Sequence, residues 1–236
     1  MGVKDLQPAL IWDYFDQITQ VPRPSKKEEK IVQYLLDFAK KYGLDVKEDQ
    51  AHNILISKPA TPGKENLRTV IMQSHVDMVC EKNNDVSFNF ETDPIKTYID
   101  GDWVKAQGTT LGGDDGIGMA AALAILASDD IEHGPIAALF TTDEETGLTG
   151  ANALDPSFLD GDILLNLDSE EWGEFCIGCA GGKNTIGTFT YQSIDAPKGF
   201  FWLEVKISGL NGGHSGSSIH EGLGNANKIL DRYLWT

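Results

Sequence analysis

Hydrophobic positions near the N-terminus recur at helical spacing. Leu6, Leu10, Ile11, Tyr14, Phe15 and Ile18 fall on one stripe, and Pro22 and Pro24 stop it. A second stripe, Ile31, Leu35 and Phe38, predicts a helix through about Tyr42. Ser25 with Glu28 reads as its capping box, and Gly43 lies just past its end. The period then shortens. Leu44–Lys47, Asn53–Ser57 and Thr69–Gln73 read as strands, the last apolar enough to be buried. A turn-rich stretch from Lys82 to Asp100 leads into a short strand, Trp103–Ala106. Gly116–Ser128 predicts a helix of small residues fit for close packing, and Ile136–Thr142 and Ile163–Leu167 are two further apolar strands.

Strands alternating with helices argue an α/β fold, a mixed central sheet flanked by helices. The texture changes near Asn184. Thr185–Ser193 and Phe200–Ile207 alternate like antiparallel strands, followed by a glycine-rich turn and a helix from about Asn225 to Leu234. The expected division is residues 1–184 and 185–236, the second being the start of an α+β unit.

Charge narrows the function. Lys+Arg 19 against Asp+Glu 36 gives a net charge of −17 over 236 residues. Such a surface repels phosphate backbones and anionic lipid, which argues against nucleic-acid and membrane partners. No apolar run approaches the ~18 residues of a membrane span. The three cysteines, Cys80, Cys176 and Cys179, are too few for a disulfide framework, and the expected compartment is the cytoplasm.

Four segments concentrate chemistry: Ser74-His75-Val76-Asp77, Leu111-Gly112-Gly113-Asp114-Asp115-Gly116, Thr142-Asp143-Glu144-Glu145-Thr146-Gly147 and Asn166-Leu167-Asp168-Ser169. The first, third and fourth follow apolar strands, and the second opens a helix. Ligands of open α/β sheets bind beyond the carboxyl ends of the strands, so all four are directed to one edge. Singly, each has an ordinary reading: His75 as a structural histidine, Asp114-Asp115 as helix N-terminal caps, Glu144-Glu145 as a solvated turn. Together, one imidazole and several carboxylates would repel each other unless cations relieved them. The nitrogen and oxygen donor set suits zinc, with cobalt or manganese as substitutes.

Other motifs carry less. Gly112 to Gly118 outlines a phosphate loop, but two aspartates and no lysine would repel phosphate. Gly213-His214-Ser215-Gly216-Ser217 ends in Ser where a nucleophile elbow needs Gly. Cys176-x-x-Cys179 has no second pair and reads as two half-buried thiols.

The blocks S-H-V-D-M-V, T-L-G-G-D-D-G-I-G-M-A, T-T-D-E-E-T-G-L-T-G-A, N-L-D-S-E-E and G-G-H-S-G resemble, in order, those of the co-catalytic di-zinc exopeptidases. Within them the chain is most similar to the aminoacyl-histidine dipeptidases (PepD, carnosinase-like), from about Val21 onward. The resemblance implies that His75, Asp114 and Asp168 hold one zinc and that Asp114 bridges to a second, ligated by Glu145. It implies Asp77 as the carboxylate orienting His75, Glu144 as general base, and His214 as the group steadying the substrate's oxyanion, often in the partner subunit's site. It also implies a catalytic α/β domain with an inserted α+β lid that mediates homodimerisation. The family's second zinc takes a further histidine from later in the chain. Here His133 and His220 remain, neither in a matching motif, so the expectation is a piece of a longer protein. The expected reaction is hydrolysis of dipeptides, Xaa-His such as carnosine among them, by a metal-bridged hydroxide with Glu144 as base. Two rivals stand beside it: an N-acyl amino acid deacylase, or a catalytically incomplete metal-binding and dimerisation fragment.

Overall fold

The two apolar stripes become α1 (Ala9–Thr19) and α2 (Glu29–Tyr42). Lys40 and Lys41 favour the negative end of the α2 dipole, and Gly43 closes the helix at φ 64°, where a side chain would be strained. The start of α2 departs from expectation, because no side chain caps it. Ser25 and Glu28 spend their oxygens elsewhere, at the candidate site described below. The computed structural model describes residues 2–169, 173–179, 181, 185–213 and 218–235. They fall into two units, Met1–Phe175 and Cys176–Thr236.

In the first unit follow β1 (Asp45–Glu48), β2 (Ile54–Lys58), β3 (Val70–His75), β4 (Thr97–Asp100), β5 (Trp103–Ala106), α3 (Gly113–Ala127), β6 (Ile136–Thr141), α4 (Thr149–Asn152) and β7 (Ile163–Asn166). Five strands form a mixed sheet in the order β1-β2-β6-β3-β7. β6, β3 and β7 run parallel, while β1 and β2 are antiparallel to their neighbours. β4 and β5 make a separate hairpin. β4 escaped the sequence reading because it is four residues of mixed polarity, alternately part-buried and exposed.

Alternation along the strands sorts side chains between two layers. Ile54, Ile56, Met72, Ala138 and Phe140 join the helices in the main core, against Phe15, Ile18, Leu35, Met119 and Leu123. Leu55, Ile71, Ala137 and Leu139 face the other way, onto Phe158 of the 3-10 turn Pro156–Leu159. Each large apolar side chain so buried contributes about 1.5–3 kcal/mol before ordering entropy is counted. β7 is the outer strand, and Leu164 and Leu165 remain exposed on it. The register sets the ends: His75 lies opposite Thr141, and Asn166 opposite Gln73. The parallel strands therefore deliver their following turns to one edge.

The second unit has a 3-10 turn, Ile219–Glu221, and α5 (Ala226–Trp235). The strands expected at Thr185–Ser193 and Phe200–Ile207 are not formed; no ladder joins the described residues there. Their alternating apolar side chains, Phe189, Tyr191, Phe200 and Trp202, are largely exposed. Alternation supplies a face, but a strand also needs a paired edge to offset its ordering entropy. Cys176 and Cys179 are free and exposed, not half-buried. Among the described residues, no helix is long and apolar enough to cross a membrane.

Candidate metal centre

His75 is the last residue of β3, and its imidazole is almost wholly buried. Nδ1 meets Asp77 Oδ1 at 3.2 Å, and Nε2 meets Asp114 Oδ1 at 2.8 Å and Asp168 Oδ2 at 4.0 Å. Asp114 comes from the turn that opens α3. Its backbone and that of Asp115 are not helical (φ, ψ −81°, 118° and −103°, 37°). The ordinary reading of this pair holds for one member: Asp115 Oδ1 accepts from Gly118 N at 3.2 Å, capping the helix. Its other oxygen accepts from His75 N at 3.3 Å. Glu144 and Glu145 lie in the turn after β6, and Asp168 lies two residues past β7.

One ligand atom each from His75, Asp114 and Glu145 falls within 4.8 Å of the others, and so does the set His75, Glu144 and Asp168. Both glutamates thus reach the same imidazole. An imidazole nitrogen with several carboxylate oxygens is a donor set that zinc accepts, as do cobalt and manganese. The residues fit such an ion. Asp77 on Nδ1 also fixes the tautomer that leaves Nε2 to face it.

Charge in the cluster is finely divided. Burial pushes Asp115 up to about 7, and burial with the Asp114 charge pushes Asp168 up to about 6. Burial raises Glu144 and Glu145 as well, helped by nearby carboxylates. Burial would lower His75, but its hydrogen bonds with Asp114 and Asp77 carry it to about 10. The hydrogen bond to His75 lowers Asp114. Burial opposes ionisation of Asp77, yet bonds from His75, Ser25 and Glu144 N hold it at about 2. A divalent cation among these groups would take over the neutralisation that shared protons provide here.

Behind the ligands lies a supporting layer of which sequence reasoning named Asp77 and missed the rest. Asp77, fully buried, accepts from Ser25 Oγ at 2.7 Å, Glu144 N at 3.0 Å and Glu145 N at 3.2 Å. Glu28 Oε1 accepts from Lys26 N at 2.8 Å and Asp143 N at 3.1 Å. Asp143 sits at φ +49°, with its carboxylate bonded by the hydroxyls of Thr146 and Thr149. Asn53 spans Thr142 N and Gly150 O at 3.1 and 2.9 Å. Glu28, Asp77 and Asp143 also cluster, but N–H and O–H donors already occupy them. The apparent capping box was the one local signal, since Ser25 and Glu28 are polar residues with their oxygens turned to other segments.

His133 lies in the loop entering β6, at the opposite edge of the sheet, where its backbone meets Thr61. His220 is in the second unit, in the turn Ile219–Glu221. His214 lies outside the described residues.

Residues 71–197 match the signature of peptidase family M20/M25/M40, which takes in all four site segments of the first unit. The chain belongs to that family. The cytosol non-specific dipeptidase of Escherichia coli (strain K12) is 50% identical over 232 residues, 98% of this chain and 48% of that protein. The crystal structure of aminoacylhistidine dipeptidase from Vibrio alginolyticus superimposes with a TM-score of 0.76 at 48% identity, covering 99% of this chain and 48% of that one. A tripeptidase from Staphylococcus aureus gives a TM-score of 0.58 at 27% identity, covering 69% of this chain and 43% of that one. This M20-family chain therefore spans about half the length of the relatives it matches.

Proposed function

We propose that this chain carries the metal-ligating part of a zinc-dependent dipeptidase of the cytoplasm. The supporting observation is the convergence of His75, Asp114, Glu144, Glu145 and Asp168 from four segments to one sheet edge. Family membership and the two dipeptidase relatives give the chemistry its direction. His75, Asp114 and Asp168 would hold one ion, and Glu145 together with Asp114 would hold a second. Asp77 orients His75 and, through its bonds to Glu144 N and Glu145 N, sets the distance between imidazole and glutamates. A divalent ion held there would supply Lewis-acid chemistry, polarising a carbonyl and lowering the pKa of a water. Glu144, with its proton affinity raised by burial, accepts the water's proton and passes it to the departing amine. Dipeptides are the proposed substrates, Xaa-His such as carnosine and other small dipeptides, with residues 1–184 forming the catalytic part and 185–236, including His214, entering a lid through which two subunits pair.

Calorimetric zinc titration of the chain tests the ligand set. His75→Ala should lose ion binding, and Glu144→Gln should keep it while abolishing hydrolysis of Xaa-His dipeptides. Uptake that survives His75→Ala would overturn the ligand assignment, and preferential cleavage of N-acyl amino acids would turn the substrate reading toward a deacylase.

A further inference from the structure

Between α1 and α2 the chain passes behind the candidate site as Val21-Pro22-Arg23-Pro24-Ser25. Arg23 is 3% exposed, which is rare for an arginine unless its charge is satisfied. Its guanidinium is satisfied by main chain. Nη1 donates to Val76 O at 2.9 Å and to Asp77 O at 2.5 Å, and Nη2 donates to Gly112 O. The first two carbonyls belong to the turn after His75, and the third to the turn carrying Asp114.

A second observation reports the same fit from the other side. A Cβ on Gly112 would lie 2.6 Å from Nη2, and one on Gly116 would lie 2.7 Å from it. The glycines flanking Asp114-Asp115 are thus the cradle that the guanidinium fills. Pro24 bridges to Met78 and Ser25 bonds Asp77, so the neighbours of Arg23 grip the same turn. Burial lowers the guanidinium pKa to about 10, with Asp77, Asp115 and Asp114 acting against that shift, so the group is charged at neutral pH.

We propose that Arg23 is a positioning residue for the ion site, clamping the turn after β3 to the turn that opens α3 and so holding His75 against Asp114. The inference rests on the metal-centre reading above. A planar fork spans carbonyls on two segments, whereas a lysine ammonium is a single point and a methionine leaves buried carbonyls without donors.

The test is zinc calorimetry on the full chain, with the cobalt(II) absorption spectrum as a coordination signature. Wild type is compared with Arg23→Met, Arg23→Lys and Gly116→Ala at a temperature where circular dichroism shows each folded. Loss of an outer partner of a metal ligand typically weakens affinity ~10–100-fold, and that is expected for Arg23→Met, with Arg23→Lys intermediate and the cobalt spectrum altered. Gly116→Ala should weaken binding with the arginine intact, and adding it to Arg23→Met should cost little more. If Arg23→Met does not fold, Arg23→Lys and Gly116→Ala carry the comparison. Wild type that takes up no ion would sink the metal-centre reading. Wild-type uptake with folded variants binding within about twofold, or more tightly, would sink the role of Arg23 alone.

Discussion

Replacing Asp77 by Asn tests the hinge of the site without removing a ligand. The carboxylate is fully buried and accepts from Ser25 Oγ, Glu144 N and Glu145 N besides meeting His75 Nδ1. An amide of the same shape can accept on one side only, and its NH2 then faces a donor. The native environment holds Asp77 at about 2, against an ordinary 3.8. At 1.36 kcal/mol per unit this is worth about 2 kcal/mol to the folded, metal-free chain. Because the folded pKa is depressed, the contribution is complete above 3.8 and disappears as pH falls through about 2. Urea melts of EDTA-treated wild type and Asp77→Asn, followed by circular dichroism at pH 7, should differ in midpoint by about 1 M for a slope near 2 kcal/mol/M. The gap should hold down to about pH 4 and narrow below it. A difference under ~0.5 kcal/mol at pH 7, or one that widens in acid, would refute the view that these hydrogen bonds select the ionised form.

Two other outcomes follow from the same geometry. Gly118→Ala would place a Cβ 2.2 Å from Asp115 Oδ1 and 2.9 Å from Leu167 Cβ. Although alanine favours helices, it should destabilise by ~1–3 kcal/mol as overpacking does, and a neutral or raised melting temperature would contradict the packing. Ion binding should release protons, because His75 (about 10), Asp115 (about 7) and Asp168 (about 6) hold protons near neutrality that a cation displaces. Affinity should therefore rise from pH 5.5 to 7.5, and calorimetry in buffers of different ionisation enthalpy should register about one proton or more per ion at pH 6; none would place the ion elsewhere.

Much of the first unit is legible in the sequence because its information is local. The stripes of α1 and α2, the apolar runs of β2, β3, β6 and β7, and the glycine after α2 each follow from a period or a single residue's backbone preference. His75, Glu144, Glu145 and Asp168 were also readable as candidates, since each lies at, or within four residues of, the carboxyl end of an apolar run that reads as a strand. With three of those strands parallel, their carboxyl ends had to share an edge.

Tertiary structure alone decided the rest. Ser25 and Glu28 satisfy a capping pattern perfectly well, but the Ser25 hydroxyl donates instead to Asp77, 52 positions on, and Glu28 Oε1 accepts from Asp143 N, 115 positions on. Arg23 and Asn53 carry no local signal because their partners are main-chain groups, Gly112 O for one and Thr142 N for the other, that any residue could supply. The alternating segments of the second unit show the converse: their pattern is local, yet a ladder is a relation between chains of residues and does not form where no edge is paired. Periodicity determined which elements could exist and where reactive side chains would emerge. Which hydrogen bonds hold those side chains at a common point depended on segments far apart in sequence, because a buried polar group takes whichever partner the fold brings to it.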